Sequence, residues 1–268
     1  MIRVIVAGVG GRMGGRIAQL IRESEDLVLA GAFERSDHPF VGKDLGECLG
    51  LGKTGIFVAP ALREVIEKGE VVIDFTAPGA SLENLRTAAQ AAKPMVIGST
   101  GFTAAQMEEI RFLCRSLPCV LAPNMSVGIN VLLKVVGEMA RILGEGFDLE
   151  IIEVHHNLKK DAPSGTALKL AQVLAEARSL DLDRAAVYQR KGIIGERKPQ
   201  EIGIQTLRAG DIIGEHTVLF GGLGERIEVI HRAHSRDTFA RGALRAARWI
   251  IGQPNGLYDM QDVLGLKS

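Results

Sequence analysis

The junction near the N-terminus constrains this chain most. The strand-like run Ile2-Arg-Val-Ile-Val-Ala7 passes without a linker into Gly8-Val-Gly-Gly-Arg-Met-Gly14 and on into an amphipathic stretch ending near Arg22. Glycines at that place let the backbone turn tightly, let a ligand approach the main chain, and leave helix N–H groups pointing outward. With Leu27 to Phe33 as the next strand, the segment reads as a βαβ unit. Gly8 suits the tight turn, Gly11 the approach of a pyrophosphate, and Gly14 close packing of helix on sheet. The spacing GxxGxxG is a variant of the dinucleotide-binding fingerprint. Glu34 closes the second strand, where a carboxylate hydrogen-bonds the ribose hydroxyls of NAD, and Arg35 follows with a guanidinium suited to the extra phosphate of NADP. The dipeptide is compatible with either nucleotide.

The alternation continues through strand candidates Ile56 to Ala59, Val71 to Phe75, Met95 to Gly98 and Cys119 to Ala122, with helices over Ser81 to Ala92 and Thr103 to Arg115. Near-continuous apolar strands separated by helices indicate a parallel sheet covered on both faces. Thr103 followed by Gln106 fits a capping box. The segments Asp74-Phe-Thr-Ala-Pro78 and Gly98-Ser-Thr-Gly-Phe102 lie beyond strand ends, where open α/β sheets bind ligands.

After Asn124 the pattern changes. A helix is expected from Val127 to Leu143 and a strand from Phe147 to His155, and the stretch from Glu201 to Ala233 reads as strand-turn-strand. A helix from about Thr238 to Ile251 is expected to return to the first domain. The fold class is therefore α/β: a Rossmann-type parallel-sheet domain over 1–126 with 236–268, and a smaller α+β domain with a mixed sheet, for substrate binding and oligomerisation, over 127–235.

Bulk properties narrow the function. Lys plus Arg and Asp plus Glu both number 32, which leaves no global field for nucleic acid or an anionic membrane, so neither is an expected partner. No apolar run has the length of a membrane span, and the chain starts in a strand rather than a secretion signal, so the expected location is the cytoplasm. Cys48, Cys114 and Cys119 are scattered and odd in number, and His231 and His234 have no acidic or cysteine company. No metal site is expected, and Arg236 is read as orienting a loop.

The densest polar constellation runs from Glu153 through His155, His156, Lys159, Lys160 and Asp161 to Ser164, Gly165 and Thr166. Ser164 suits a helix N-cap, so the N–H groups at Gly165 and Thr166 offer a positive pole to a carboxylate, with the lysines adding charge. His155 is the candidate for moving a proton near neutral pH.

Together these residues closely resemble the 4-hydroxy-tetrahydrodipicolinate (dihydrodipicolinate) reductase family over nearly the whole chain. The likeness rests on the glycine turn, Asp74-Phe-Thr76, Gly98 to Phe102, Asn124 to Asn130, His155-His156 with Lys159, Asp161 to Thr166, and Arg208 to His216. It implies His155 as proton donor and acceptor and Lys159 as a proton donor, both catalytic, and His156, Gly165 and Thr166 on a small dicarboxylate substrate. It further implies that Gly8, Val9, Gly10, Gly11, Arg12, Met13, Glu34, Arg35, Gly98, Ser99, Thr100, Ala122, Pro123, Asn124 and Met125 hold NADH or NADPH. A homotetramer built through the second domains is implied as well. Ser99 stands where many relatives carry Thr, and Pro123 where others have Ala or Ser, which bears on cofactor preference. Two rival readings remain: another two-domain dehydrogenase, which lacks its expected Glu-Lys-Pro segment or nucleophilic cysteine here, and a non-catalytic nicotinamide sensor, which has no use for His155, Lys159 and the helix start together.

Overall fold

In the computed structural model, which describes residues 1–267, the chain divides into two units: Met1–Val127 with the segment that starts at Asp237, and Gly128–Arg236. The elements run β1 (Ile2–Ala7), α1 (Arg12–Arg22), β2 (Leu27–Phe33), α2 (Leu45–Cys48), β3 (Val71–Asp74), α3 (Pro78–Gln90), β4 (Met95–Ile97), α4 (Ala104–Leu113) and β5 (Pro118–Leu121). They continue with α5 (Val127–Leu143), β6 (Asp148–His155), α6 (Gly165–Ala177), α7 (Leu182–Ala185), β7 (Ala186–Val187), β8 (Ile202–Arg208), β9 (Gly214–Gly221) and β10 (Arg226–Ala233). The chain ends with α8 (Asp237–Ile250), β11 (Gly256–Tyr258) and α9 (Met260–Val263).

Unit 1 is built on a six-stranded parallel sheet of order β11-β5-β4-β3-β1-β2. Its strands are apolar throughout because both faces are covered. Val4, Val6, Ile73, Val96 and Val120 meet α1 and α8 on one side, while Ile5, Val72, Met95, Ile97 and Cys119 meet α3 and α4 on the other. Strand order reverses at β1, which has β2 on one side and β3 on the other, so a crevice opens beyond the carboxyl ends of β1 and β3. The helix expected near the C-terminus does return to this unit. Ala240, Ala243 and Ala247 of α8 join the core with Ile17 and Ile21, and Arg16 donates two hydrogen bonds of 2.7 Å to Asp237. The capping box at Thr103 and Gln106 starts α4 as read from the sequence.

The segment Ile56 to Ala59 is not the expected strand. It makes only isolated bridges, to Phe33, Val41 and Asp44, because the Asp44 carboxylate gathers the backbone N–H groups of Gly46, Glu47, Thr54 and Gly55 and folds this stretch into a turn-rich lobe. Those donors outweigh desolvation and pull the Asp44 carboxyl down to about 2. β11 was not anticipated either; it is three residues long and gains its place only by pairing with β5.

Unit 2 carries the five-stranded sheet β10-β9-β6-β8-β7, with β6 antiparallel to β9 and parallel to β8, the mixed arrangement expected. One face packs on α5 and α6 through Leu149, Ile151, Ile204, Val218 and Phe220 against Ile129, Val136, Leu170 and Leu174. Among the described residues no helix is long and apolar enough to cross a membrane, and no cluster of His, Cys, Asp and Glu could hold a metal ion.

Candidate active site

In unit 1 the residues singled out from the sequence gather at the carboxyl edge of one sheet. Gly8 to Met13 follow β1, Glu34 and Arg35 follow β2, Gly98 to Thr100 follow β4, and Ala122 to Met125 follow β5. Gly8 has φ +64°, the left-handed turn that glycine accepts freely, and a Cβ on Gly14 would lie 2.2 Å from the Gly8 carbonyl oxygen, so α1 starts hard against the end of β1. Gly11 caps α1 without any side-chain hydrogen bond, which suits a site where a phosphate takes the helix N–H groups. The Glu34 carboxylate accepts from Gly10 N at 2.9 Å and from Arg35 N at 3.1 Å, which fixes it at the rim of the glycine turn. The Arg35 guanidinium is exposed and pairs with Asp37 at 3.2 Å.

Beside them lies a cavity of about 490 Å³, lined by Gly8, Glu34, Arg35, Pro60, Thr76 and Asn84 among others, within the size range of nucleotide and small-molecule pockets. Its floor is organised by the buried Asp74 at the end of β3. Asp74 accepts from Thr76 N and Oγ1, Ser81 Oγ and Asn84 Nδ2, and Ser99 Oγ joins through Ser81 at 2.7 Å. A turn that only glycine can make, an uncapped helix start and an adjoining pocket fit a dinucleotide.

In unit 2 the decisive element is β6. Its buried positions alternate as Leu149, Ile151, Glu153 and His155, so the face that begins as hydrophobic core ends in a carboxylate and an imidazole. Glu153 accepts from His155 Nδ1 at 2.5 Å, from both terminal nitrogens of Arg208 at 2.9 and 3.0 Å, and from Ser164 N at 3.0 Å. Burial opposes ionisation of Glu153, but these donors outweigh it and hold its carboxyl below the ordinary range. His155 is shifted down, first by burial and then by the charges of Lys159 and Arg208, with the Glu153 carboxylate pulling the other way. Ser164 caps α6 by accepting from Ala167 N at 3.1 Å, and its hydroxyl also meets His216 Nε2 at 3.2 Å. The Lys159 ammonium donates to both oxygens of Asp161 at 2.8 and 2.9 Å.

A buried proton carrier tied to a cationic loop and to a helix N-terminus is equipped to bind an anion and protonate it. Comparison with known proteins gives the family. Residues 2–125 match the family model described as dihydrodipicolinate reductase, N-terminus, and residues 128–264 match that of its C-terminus. The chain belongs to the dihydrodipicolinate reductase family. It is 58% identical over 268 residues to the 4-hydroxy-tetrahydrodipicolinate reductase of Syntrophus aciditrophicus (strain SB), and 59% identical over 267 residues to that of Syntrophobacter fumaroxidans (strain DSM 10017 / MPOB), with full coverage of both chains in each case. Among solved structures it resembles a dipicolinate-bound dihydrodipicolinate reductase from Paenisporosarcina sp. TG-14, at TM-score 0.76 and 29% identity over 98% of each chain.

In this dihydrodipicolinate reductase the sequence groups His155, Lys159 and the α6 start in one constellation, and the structure adds that the Glu153 carboxylate bonds both the His155 ring and the backbone that opens α6. From the sequence, Glu153, Arg208 and His216 are assigned no role, although Glu153 opens the constellation and the segment Arg208 to His216 is among the motifs that carry the family likeness. One signal was available: Glu153 shares the period-two face of Leu149 and Ile151, where an acid must have partners. The packing of the His38 ring over Gly10 and the contribution of Pro60 and Asn84 to the cavity carry no local signal, because those contacts form only when distant segments fold together.

Proposed function

We propose that unit 2 carries the proton-transfer and dicarboxylate-binding groups and unit 1 the nucleotide-binding groups of the family's reaction. The chain is an NAD(P)H-dependent oxidoreductase that reduces 4-hydroxy-2,3,4,5-tetrahydrodipicolinate to 2,3,4,5-tetrahydrodipicolinate with loss of water, in diaminopimelate and lysine biosynthesis. The observation that carries the division of labour is the shared carboxylate: Glu153 bonds both the His155 imidazole and the backbone that opens α6.

When bound, NADH or NADPH supplies the hydride. The glycine turn Gly8 to Met13 would hold its pyrophosphate, Glu34 and Arg35 its adenosine ribose, and Gly98, Ser99, Thr100, Ala122, Pro123, Asn124 and Met125 the remainder. In unit 2, His156, Gly165, Thr166 and the positive pole of α6 bind the carboxylates. His155 would deliver the one proton the reduction needs, to the carbon next to the one reduced, and the Lys159 ammonium would stabilise the negative charge that develops until that proton arrives.

The assembly is a homotetramer working in the cytoplasm. The uncovered face of the unit 2 sheet supports the oligomer, since Leu207 and Ile230 are 46% and 44% exposed in the single chain. The test of the function follows reduced-nicotinamide absorbance when the protein meets the condensation product of aspartate semialdehyde and pyruvate, with NADH and NADPH tried separately. Rapid oxidation is expected and ranks the nucleotides. Cofactor binding without oxidation would instead favour a nicotinamide sensor.

A further inference from the structure

We infer that Glu153 is the positioning residue of the proton transfer, orienting His155 and setting its tautomer, with Arg208 as the counter-charge that holds Glu153 in place. The inference rests on the reading of His155 as proton donor and adds the group through which that role is enforced.

The geometry leaves Glu153 little freedom. Its two oxygens accept four hydrogen bonds: Oε1 from Ser164 N and one Arg208 nitrogen, Oε2 from the other Arg208 nitrogen and from His155 Nδ1. Every acceptor direction of an ionised carboxylate is used. A carboxylate can only accept, so His155 Nδ1 must carry the hydrogen, and Nε2 is the atom left to exchange a proton with a ligand. That nitrogen faces Gly214 of β9, where a Cβ would stand 3.0 Å away. Sequence places the two partners for this purpose. Glu153 lies two residues before His155 on the same strand face, and Arg208 is the register partner of His155 on the neighbouring parallel strand β8.

Arg208 does more than neutralise the acid. The nitrogen that serves Oε1 also donates to the Asp161 carbonyl at 2.6 Å, and Asp161 holds the Lys159 ammonium. The imidazole, the lysine loop and the first turn of α6 are thus fastened to one buried ion pair. Carboxylates that orient a catalytic imidazole in this way act through its tautomer and direction, and their loss costs up to about 10⁴-fold in turnover in the best-known triads.

The experiment combines turnover with a direct reading of the ring. Nitrogen-15 spectra of the full-length protein should show one histidine as the Nδ1–H tautomer with a far-downfield proton, assigned by its disappearance in His155→Ala. Glu153→Gln should abolish that proton and lower kcat about 10²- to 10⁴-fold at unchanged NADH affinity. The double variant should be no slower than His155→Ala. Should Glu153→Gln not fold, Arg208→Lys carries the test, with the downfield proton weakened and kcat reduced. An intact Nδ1–H signal with normal kcat in these variants, or a double variant slower than His155→Ala by the full Glu153→Gln factor, overturns the inference. Undiminished turnover in His155→Ala would sink the underlying proton-donor reading, and it is recognised without reference to Glu153.

Discussion

At the residue scale, the His155 ring is closely packed, with the Glu153 carboxylate on Nδ1 and the His216 ring 5.3 Å away between centroids. A methyl group on Gly214 would crowd Nε2, which a Cβ there approaches to 3.0 Å, so Gly214→Ala should push the imidazole aside. Steady-state assays should show kcat reduced by about 10- to 100-fold, with nucleotide affinity from fluorescence titration unchanged. His216 makes a second, pH-dependent prediction. Burial drives its pKa down to about 3, and the His155 charge pushes the same way. Between that value and an ordinary histidine pKa the unfolded chain binds a proton that the folded chain refuses, so stability falls as pH drops through this window, by up to ~1.4 kcal/mol per pH unit. Glu153, whose pKa is lowered, adds to the loss below the ordinary carboxylate range. Urea midpoints at about pH 7.5 and about pH 5 should separate clearly, and His216→Gln should narrow the gap. An unaltered gap would mean that other groups carry the acid sensitivity.

At the scale of elements, the contact between β1 and α1 is one of the close backbone approaches in unit 1. Gly14→Ala places a carbon 2.2 Å from the Gly8 carbonyl oxygen, and backbone on both sides must move. The expected cost is about 1–3 kcal/mol in chemical denaturation, accompanied by weaker nucleotide binding because the α1 N-terminus shifts away from the turn; unchanged affinity would separate the turn from the nucleotide site. Elements also show what a local pattern can reveal. The spans of β1, β2 and α5 were legible because their apolar periods are long and their ends are marked by glycine, charge or a cap. The lobe around Asp44 was not, since Ile56 to Ala59 has strand composition while its backbone partners are decided by a carboxylate elsewhere in the chain. β11, short and without alternation, exists only as an added edge beside β5.

At the scale of the whole molecule, one sheet is covered on both faces and the other has a face left open. On β10, Ile230 is exposed on the side opposite Val229, which packs toward the helices, and on β8 Leu207 is exposed too. Sedimentation equilibrium should give four chain masses, and a charge at Ile230 (Ile230→Asp) should shift the mass downward; a monomeric wild type would refute the tetramer. By itself, the sequence determined the α/β class, the glycine-rich turn between β1 and α1 and the presence of a histidine-lysine-helix constellation, because periodicity, glycine placement and capping act within a few residues. Only the tertiary structure decided that Glu153, Arg208, Ser164 and His216 converge on His155. Their hydrogen bonds join β6 to β8 and to the start of α6, and the start of α6 to β9, and contacts between segments far apart in sequence leave no mark in any one of them.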